Sequence, residues 1–438
     1  MELVILGAGE SGVGAALLAK AQRIPVFVSD RGAIAAHVKA ELDAAGIAYE
    51  EQRHSTERIL AAREVIKSPG IPDTVPLIEA LRERGVPVIS EIEFAARYTK
   101  AFTIGITGTN GKTTTTRLCY HLLHTAGLSV AMGGNVGESF ARLLTKPSKD
   151  IYVLELSSFQ LDDIDTYRPD ISLLLNITPD HLDRYEQQME LYIRAKFRIQ
   201  KNQGPLDRFL YNADDPNVAG YLDTWRGEAQ FEALHYRQLN LPYLNAGGET
   251  FDLTHTSLQG KHNAMNALFA IRVAQHLKVS ADTIQRGLET FTNAPHRMEI
   301  VGDINDIQFV NDSKATNVDA VFYSLQAMQR PVLWIAGGQD KGNDYADLQE
   351  LVRTKVKVLI ALGVDNEKLK AAFGDAVERI VEVDSAEAAV TAALHWGAPG
   401  DVALLAPACA SFDRFKNYEE RGDLFRQAVY AAREKNKN

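Results

Sequence analysis

Residues 102–116 read "FTIGITGTNGKTTTT", and the rest of the chain can be interpreted outward from them. A β-branched run ends in a glycine-rich turn, and the turn opens a helical stretch that reaches to about Ala126. Strand, loop and helix in that order make a phosphate cradle. Backbone N–H groups can wrap phosphate oxygens, Lys112 can neutralise them, and the Thr113 hydroxyl can ligate Mg2+. The pattern GxxxxGK[ST] asks for a glycine five positions before Gly111, where this chain has Ile106. The front of the loop therefore departs from the pattern, while its GKT end keeps it.

Around this segment, short β-branched runs alternate with amphipathic stretches along the whole chain, which reads as α/β units covering mostly parallel sheets. At 438 residues the chain is too long for one ordinary core. Three segments are expected, at 1–92, 93–294 and 295–438. The first carries "LVILGAG", "PVFVSD", "EVIKSPG" and "VPVIS" as strands, the second "FTIGIT", "IYVLELS" and "ISLLLNI", and the third "QFVNDS", "PVLWIAGG", "KVLIALG" and "DVALLAP". Residues 204–259 are weakly patterned.

A second glycine cluster, Gly7, Gly9 and Gly12, follows the first strand, and Asp30 ends the next one. Three readings stay open on the residues alone. The cluster could hold a dinucleotide, as in an NAD-dependent dehydrogenase, another diphosphate such as a UDP-sugar, or nothing beyond a tight strand-to-helix turn.

Other candidates lie at strand ends. Glu155 closes "YVLE", where a carboxylate can hold a metal over phosphates, and Asp180 and His181 follow "LLLNITP". Lys196 lies among Arg194, Arg198 and Lys201 on a stretch that by periodicity is a solvated basic face. The formal charge of −10 argues against a nucleic-acid or membrane surface. Cys119 and Cys409 have neither metal-site spacing nor a disulfide framework, so they read as small buried hydrophobes in a reducing compartment. With no leader-like start and no long uncharged apolar run, a cytoplasmic protein without membrane insertion is expected.

The loop "ITGTNGKT", together with "GGNVG", "LELSSFQL", "DHLDRY", "GKHNAMNA", "PHRMEIV", "NDSKATN" and "APACASFDRFKNYEERG", resembles the Mur ligases of peptidoglycan synthesis, and within them the branch that adds D-glutamate. Folylpolyglutamate synthetases share the superfamily, so a ligase of that type, or another Mur-type ligase, is the alternative. The resemblance accounts for Ile106. It implies a Rossmann-like N-terminal domain, a P-loop ATPase central domain and a Rossmann-like C-terminal domain. The reaction it implies is ATP-dependent amide formation between UDP-N-acetylmuramoyl-L-alanine and D-glutamate, through an acyl phosphate and a tetrahedral intermediate.

Carried over residue by residue, the resemblance puts ATP on Gly108, Thr109, Asn110, Gly111, Lys112, Thr113, Thr114, Asn263, Asn266, Arg297 and Asp312. It puts the UDP-sugar on Gly9, Ser11, Gly12, Asp30, Arg31, Ser68, Gly70 and Asn135. Two Mg2+ ions, with Mn2+ as a substitute, fall to Thr113, Glu155, His181 and Lys196 as a carbamate. D-glutamate falls to Lys314, Thr316, Lys341, Ser411, Phe412 and Tyr418, and catalysis to Lys112, His181 and Lys196. Two departures stand out: Tyr418 replaces an expected phenylalanine, and "DKGNDY" differs from "DGKSADF". A monomer whose third domain closes on its ligands is expected.

Overall fold

The computed structural model describes residues 2–224, 227–258, 260–340 and 342–436. The chain divides into two compact units, one of Met1–His255 with Met265–Thr290, the other of Thr256–Ala264 with Phe291–Asn438.

The first unit holds two parallel sheets. Strands β1 (Leu3–Leu6), β2 (Val26–Ser29), β3 (Ala48–Glu50), β4 (Glu64–Lys67) and β5 (Val88–Ile89) pair in the order β3-β2-β1-β4-β5. Strands β6 (Phe102–Thr107), β7 (Val130–Gly134), β8 (Ile151–Glu155), β9 (Ile171–Leu174), β10 (Arg208–Asn212) and β11 (Gln230–Leu234) pair in the order β11-β10-β9-β6-β8-β7. The central strands β1, β8 and β9 are buried along their full length, as near-continuous Val, Ile and Leu runs require when helices cover both faces. Order reverses at β1 in the first sheet and at β6 in the second. A loop leaving the carboxyl end of a strand at such a reversal opens into a crevice. Both glycine clusters are those loops.

The weakly patterned stretch 204–259 contributes β10 and β11, and then a small antiparallel sheet of β12 (Leu239–Asn240), β13 (Tyr243–Ala246) and β14 (Glu249–Asp252).

Charged groups join the first two sheets. Glu10, in the first turn of the helix Glu10–Ala21, accepts from Ser139 N and Oγ at 3.0 and 3.1 Å and from Arg142 Nε at 2.8 Å. Glu93, wholly buried, accepts from the backbone of Asp165, Thr166 and Tyr167 and from the Thr166 hydroxyl. Lys67 and Asp163 form a buried ion pair at 2.9 Å.

The second unit is one six-stranded sheet: β15 (Glu299–Ile304), β16 (Ile307–Asn311), β17 (Val332–Ala336), β18 (Val356–Ala361), β19 (Arg379–Glu382) and β20 (Val402–Leu405), ordered β15-β16-β20-β17-β18-β19. All of its pairs are parallel except the β15–β16 hairpin. Asn305 and Asp306 turn that hairpin with φ of 53° and 60°, the left-handed pair that a type I′ turn needs. Trp334 fills the core and donates its Nε1–H to Ala406 O at 2.7 Å. The helix Tyr418–Lys435 starts on an Asn417 cap that accepts from Glu420 N.

Glu91 is the exception to the pairing pattern at the joint. One carboxyl oxygen accepts from Ala141 N and the other has no partner, and burial, aided by Glu10, pushes its pKa up to about 8. Its folded pKa thus exceeds its unfolded value, so the stability it supports is present in full below about pH 4.5 and is lost as pH rises through about 8. Glu91→Gln removes this slope. Chemical denaturation across that range should show the variant gaining on the wild type by up to a few kcal/mol as pH rises; a constant difference between the two would refute the assignment.

Candidate active site

The loop after β6 is shaped by residues far away in sequence. Gly111 caps the helix Lys112–Thr125 with φ of +82°, and a Cβ there would sit 2.4 Å from Asn266 Oδ1. Glycine is therefore required for both backbone and space. Asn176, just past β9, bonds the loop twice: its Oδ1 accepts from Asn110 N at 2.8 Å and its Nδ2 donates to Asn110 O at 3.0 Å. Thr109 Oγ1 donates to Thr178 O at 3.1 Å and lies 3.2 Å from the Tyr192 hydroxyl. Thr114, in the first turn of the helix, is buried.

Two lysines converge on this loop. Lys112 Nζ donates to Gly108 O at 2.8 Å and to Thr109 O at 2.7 Å. Lys196 Nζ donates to the same Gly108 O at 2.8 Å, lies 4.5 Å from the centre of the Tyr192 ring, and is 1 % exposed. Burial first, and the Lys112 ammonium second, hold the Lys196 pKa well below the usual lysine range. The solvated basic face that periodicity suggests is thus wrong at this position. Arg194 and Lys201 do lie on the exposed side, paired with Glu190 and Asp165.

Glu155 ends β8 buried beside the loop. Its Oε2 accepts from Thr113 Oγ1 at 2.7 Å and its Oε1 from Asn135 Nδ2 at 3.0 Å. A hydroxyl and a carboxylate oxygen side by side form a hard-oxygen donor set that suits Mg2+. His181, with φ of 52°, places Nε2 3.6 Å from Asp180 Oδ2 and stands edge-on to Phe159. Among the described residues, no group of three or more His, Cys, Asp or Glu side chains is placed to hold a metal ion. A lysine carbamate falls outside those residue types.

In the first glycine cluster the three glycines have different reasons. Gly7 has φ of +97°, and a Cβ there would meet Ser68 Oγ at 2.4 Å; on Gly12 it would meet Gly7 O at 1.9 Å. Around Gly9 a Cβ would find open space, at an ordinary φ of −77°. Among the described residues, no contact explains that glycine. Asp30 accepts from Ala8 N at 2.6 Å and Gly32 N at 2.7 Å, so its carboxylate ties the turn together. Ser11 is half-buried, Arg31 and Gly70 are exposed, and the buried Ser68 hydroxyl has no hydrogen-bond partner.

In the second unit, Asp312 is buried, accepts from Ser324 Oγ and Met298 N, and feels the Arg297 charge; burial raises its pKa. Lys314 Nζ lies 3.8 Å from the centre of the Tyr418 ring. Thr316 is half-buried, Ser411 buried, and Phe412 68 % exposed. Lys341 lies outside the described residues. Asn263 is buried at the start of the helix Lys261–His276. Reading the sequence missed Asn176, Tyr192 and the buried Arg421, which joins "NDSK" to "ACAS" by bonding Ser313 Oγ, Ser313 O and Cys409 O. Both cysteines are buried, as expected.

Three family models match the chain: "Mur ligase MurD-like, N-terminal domain" over residues 1–90, "Mur ligase middle domain" over 106–274, and "Mur ligase, glutamate ligase domain" over 296–409. Among curated relatives, the UDP-N-acetylmuramoylalanine--D-glutamate ligase of Christiangramia forsetii is 47% identical, with 98% of this chain and 99% of that one covered. The protein of the same name from Salinibacter ruber is 40% identical, with 97% and 96% covered. Among solved structures, UDP-N-acetylmuramate-alanine ligase of Thermotoga maritima shares the fold at a TM-score of 0.62 and 18% identity, covering 99% of this chain and 100% of that one. MurF of Acinetobacter baumannii does so at 0.63 and 15%, covering 97% and 93%.

Gly111→Ala should lower stability by about 1–2 kcal/mol from the left-handed backbone alone, with a further loss from displacing Asn266. Thermal unfolding reads this directly, and a Tm equal to that of the wild type would contradict the loop geometry.

Proposed function

The chain belongs to the Mur ligase family, and on that footing we propose that it is the ATP-dependent ligase joining UDP-N-acetylmuramoyl-L-alanine to D-glutamate in peptidoglycan precursor synthesis. The observation that carries the reading is the loop of Gly108 to Lys112 with Lys196 on the same carbonyl. It is a phosphate cradle with a second, deprotonatable amine beside it. No described helix is long and apolar enough to cross a membrane. The reading includes a cytoplasmic, monomeric enzyme with segments 1–92, 93–294 and 295–438.

A carboxylate is a poor electrophile, so it must be activated before an amine can attack it. In this reading the loop N–H groups and Lys112 hold the terminal phosphates of ATP, with Thr109, Asn110 and Thr114 shaping the cradle. The substrate carboxylate attacks the γ-phosphorus, an O–P bond forms, and ADP leaves. The amine of D-glutamate then attacks the acyl carbon, loses a proton, and the tetrahedral adduct collapses with release of phosphate. Asn263, Asn266, Arg297 and Asp312 are assigned to the rest of ATP.

Mg2+, at two sites and with Mn2+ as a substitute, would spread the charge on the phosphates, held by Thr113, Glu155, His181 and carbamylated Lys196. The Lys196 amine is suited to that modification. Burial favours its neutral form, which is nucleophilic toward CO2; an N–C bond forms, the nitrogen loses one proton, and the neutral amine becomes an anion with two oxygens next to Lys112.

The open space at Gly9, with Gly12 bringing the helix onto the turn, supports a diphosphate at that helix N-terminus. Ser11, Asp30, Arg31, Ser68, Gly70 and Asn135 complete the UDP-sugar assignment. D-glutamate carries two carboxylates, and Lys314 and Lys341 are assigned to them with Thr316, Ser411, Phe412 and Tyr418. The ring of Tyr418 under Lys314 keeps the aromatic wall that phenylalanine would give.

A dehydrogenase would use the first glycine loop and leave the second idle. Phosphate release from ATP with UDP-N-acetylmuramoyl-L-alanine separates the readings. Release should depend on D-glutamate and not occur with L-glutamate, L-alanine or a diamino acid; turnover indifferent to D-glutamate would overturn the assignment.

A further inference from the structure

The segment between His181 and Gln187 is held in an unusual way. His181, Glu186 and Gln187 all have left-handed backbones, with φ of 52°, 53° and 58°, on either side of the short turn Leu182–Tyr185. Non-glycine residues adopt this conformation at a cost, and only when their surroundings insist. One constraint is the Tyr185 hydroxyl, which donates to Asp162 Oδ2 at 2.8 Å. The other is Arg184. Its Nη1 donates to Gly70 O at 3.3 Å, and its Nη2 to Pro69 O at 3.3 Å and Ile71 O at 3.4 Å. Its guanidinium also lies 4.4 Å from the centre of the Phe159 ring.

Three consecutive carbonyls thus converge on one guanidinium. These carbonyls belong to the irregular loop after β4, the same loop that carries Ser68 and Gly70. From the other side Lys67 reaches it, through Ile71 O at 3.1 Å and Asp73 at 2.7 Å, and Arg82 reaches it through the same Asp73 at 3.0 Å. Arg184 forms no ion pair with a carboxylate among the described residues, so nothing but this loop and Phe159 accounts for its charge. Its backbone N–H is bonded to His181 O at 3.0 Å. One residue therefore holds the loop of residues 69–71 and is tied to the turn that sets His181.

We propose that Arg184 is a positioning residue that sets the loop of residues 69–71 for the nucleotide-sugar and registers it against His181. The inference rests on the UDP-sugar assignment above. A planar fork can serve several carbonyls at once, whereas an ammonium concentrates its donors at one point. Arg184→Lys keeps the charge and loses that reach.

The test is binding without turnover, by calorimetry, of UDP-N-acetylmuramoyl-L-alanine and separately of ADP. Arg184→Ala should weaken the nucleotide-sugar about tenfold and leave ADP within about twofold. Added guanidinium ion should recover part of the loss in this variant and do nothing for the wild type. Arg184→Lys should shift the same ligand in the same direction by less, and it serves alone if the alanine variant does not fold. Equal weakening of both ligands, or no weakening of either, overturns the proposal. So does a wild type that fails to bind the nucleotide-sugar. The D-glutamate dependence of phosphate release judges the ligase reading by itself.

Discussion

Two lysine side-chain nitrogens share one carbonyl oxygen: Lys112 and Lys196 Nζ each donate to Gly108 O at 2.8 Å. They therefore lie no more than 5.6 Å apart, twice that distance. Two full charges at that separation would repel by about 3 kcal/mol at an effective dielectric near 20. Lys112 opens a helix at a partly solvated loop, while Lys196 is wholly buried, so burial and then the Lys112 charge hold the Lys196 pKa well below the usual lysine range. The loop's Lys112 thus adds to burial in tuning a side chain that lies 88 residues beyond Gly108 in the chain.

That arrangement needs a fixed frame, and the first unit supplies it through buried charges. Glu93 accepts four hydrogen bonds from residues 165–167, and Lys67 pairs with Asp163. Removing one member of a buried pair strands the other, a loss of about 3–5 kcal/mol. Apolar packing alone would tolerate sliding, whereas these bonds define one register for the two glycine loops.

What the sequence disclosed follows from locality. Gly111 and Lys112 are adjacent, and the strand before them and the helix after them are periodic, so the cradle could be read directly. The strands "LVIL", "YVLE" and "VLWIA" were equally plain as short apolar runs. The contacts made over distance were hidden. In "EIEFAA", Glu91 and Glu93 look like solvated charges, yet both are buried, because the joint they close forms only when residues 139–167 fold against them. Lys196 sat on an apparently basic face because periodicity does not record what a long side chain reaches. The β15–β16 hairpin was missed although Asn305 and Asp306 carry turn chemistry; "NDI" between two apolar runs was the available signal.

Labelled CO2 reads out the reactivity of the buried Lys196 amine beside the phosphate loop. The enzyme equilibrated with 13C-bicarbonate should show a carbamate carbon signal that Lys196→Ala abolishes and Lys201→Ala retains. Absence of the signal in the wild type, or its persistence in Lys196→Ala, would contradict the account.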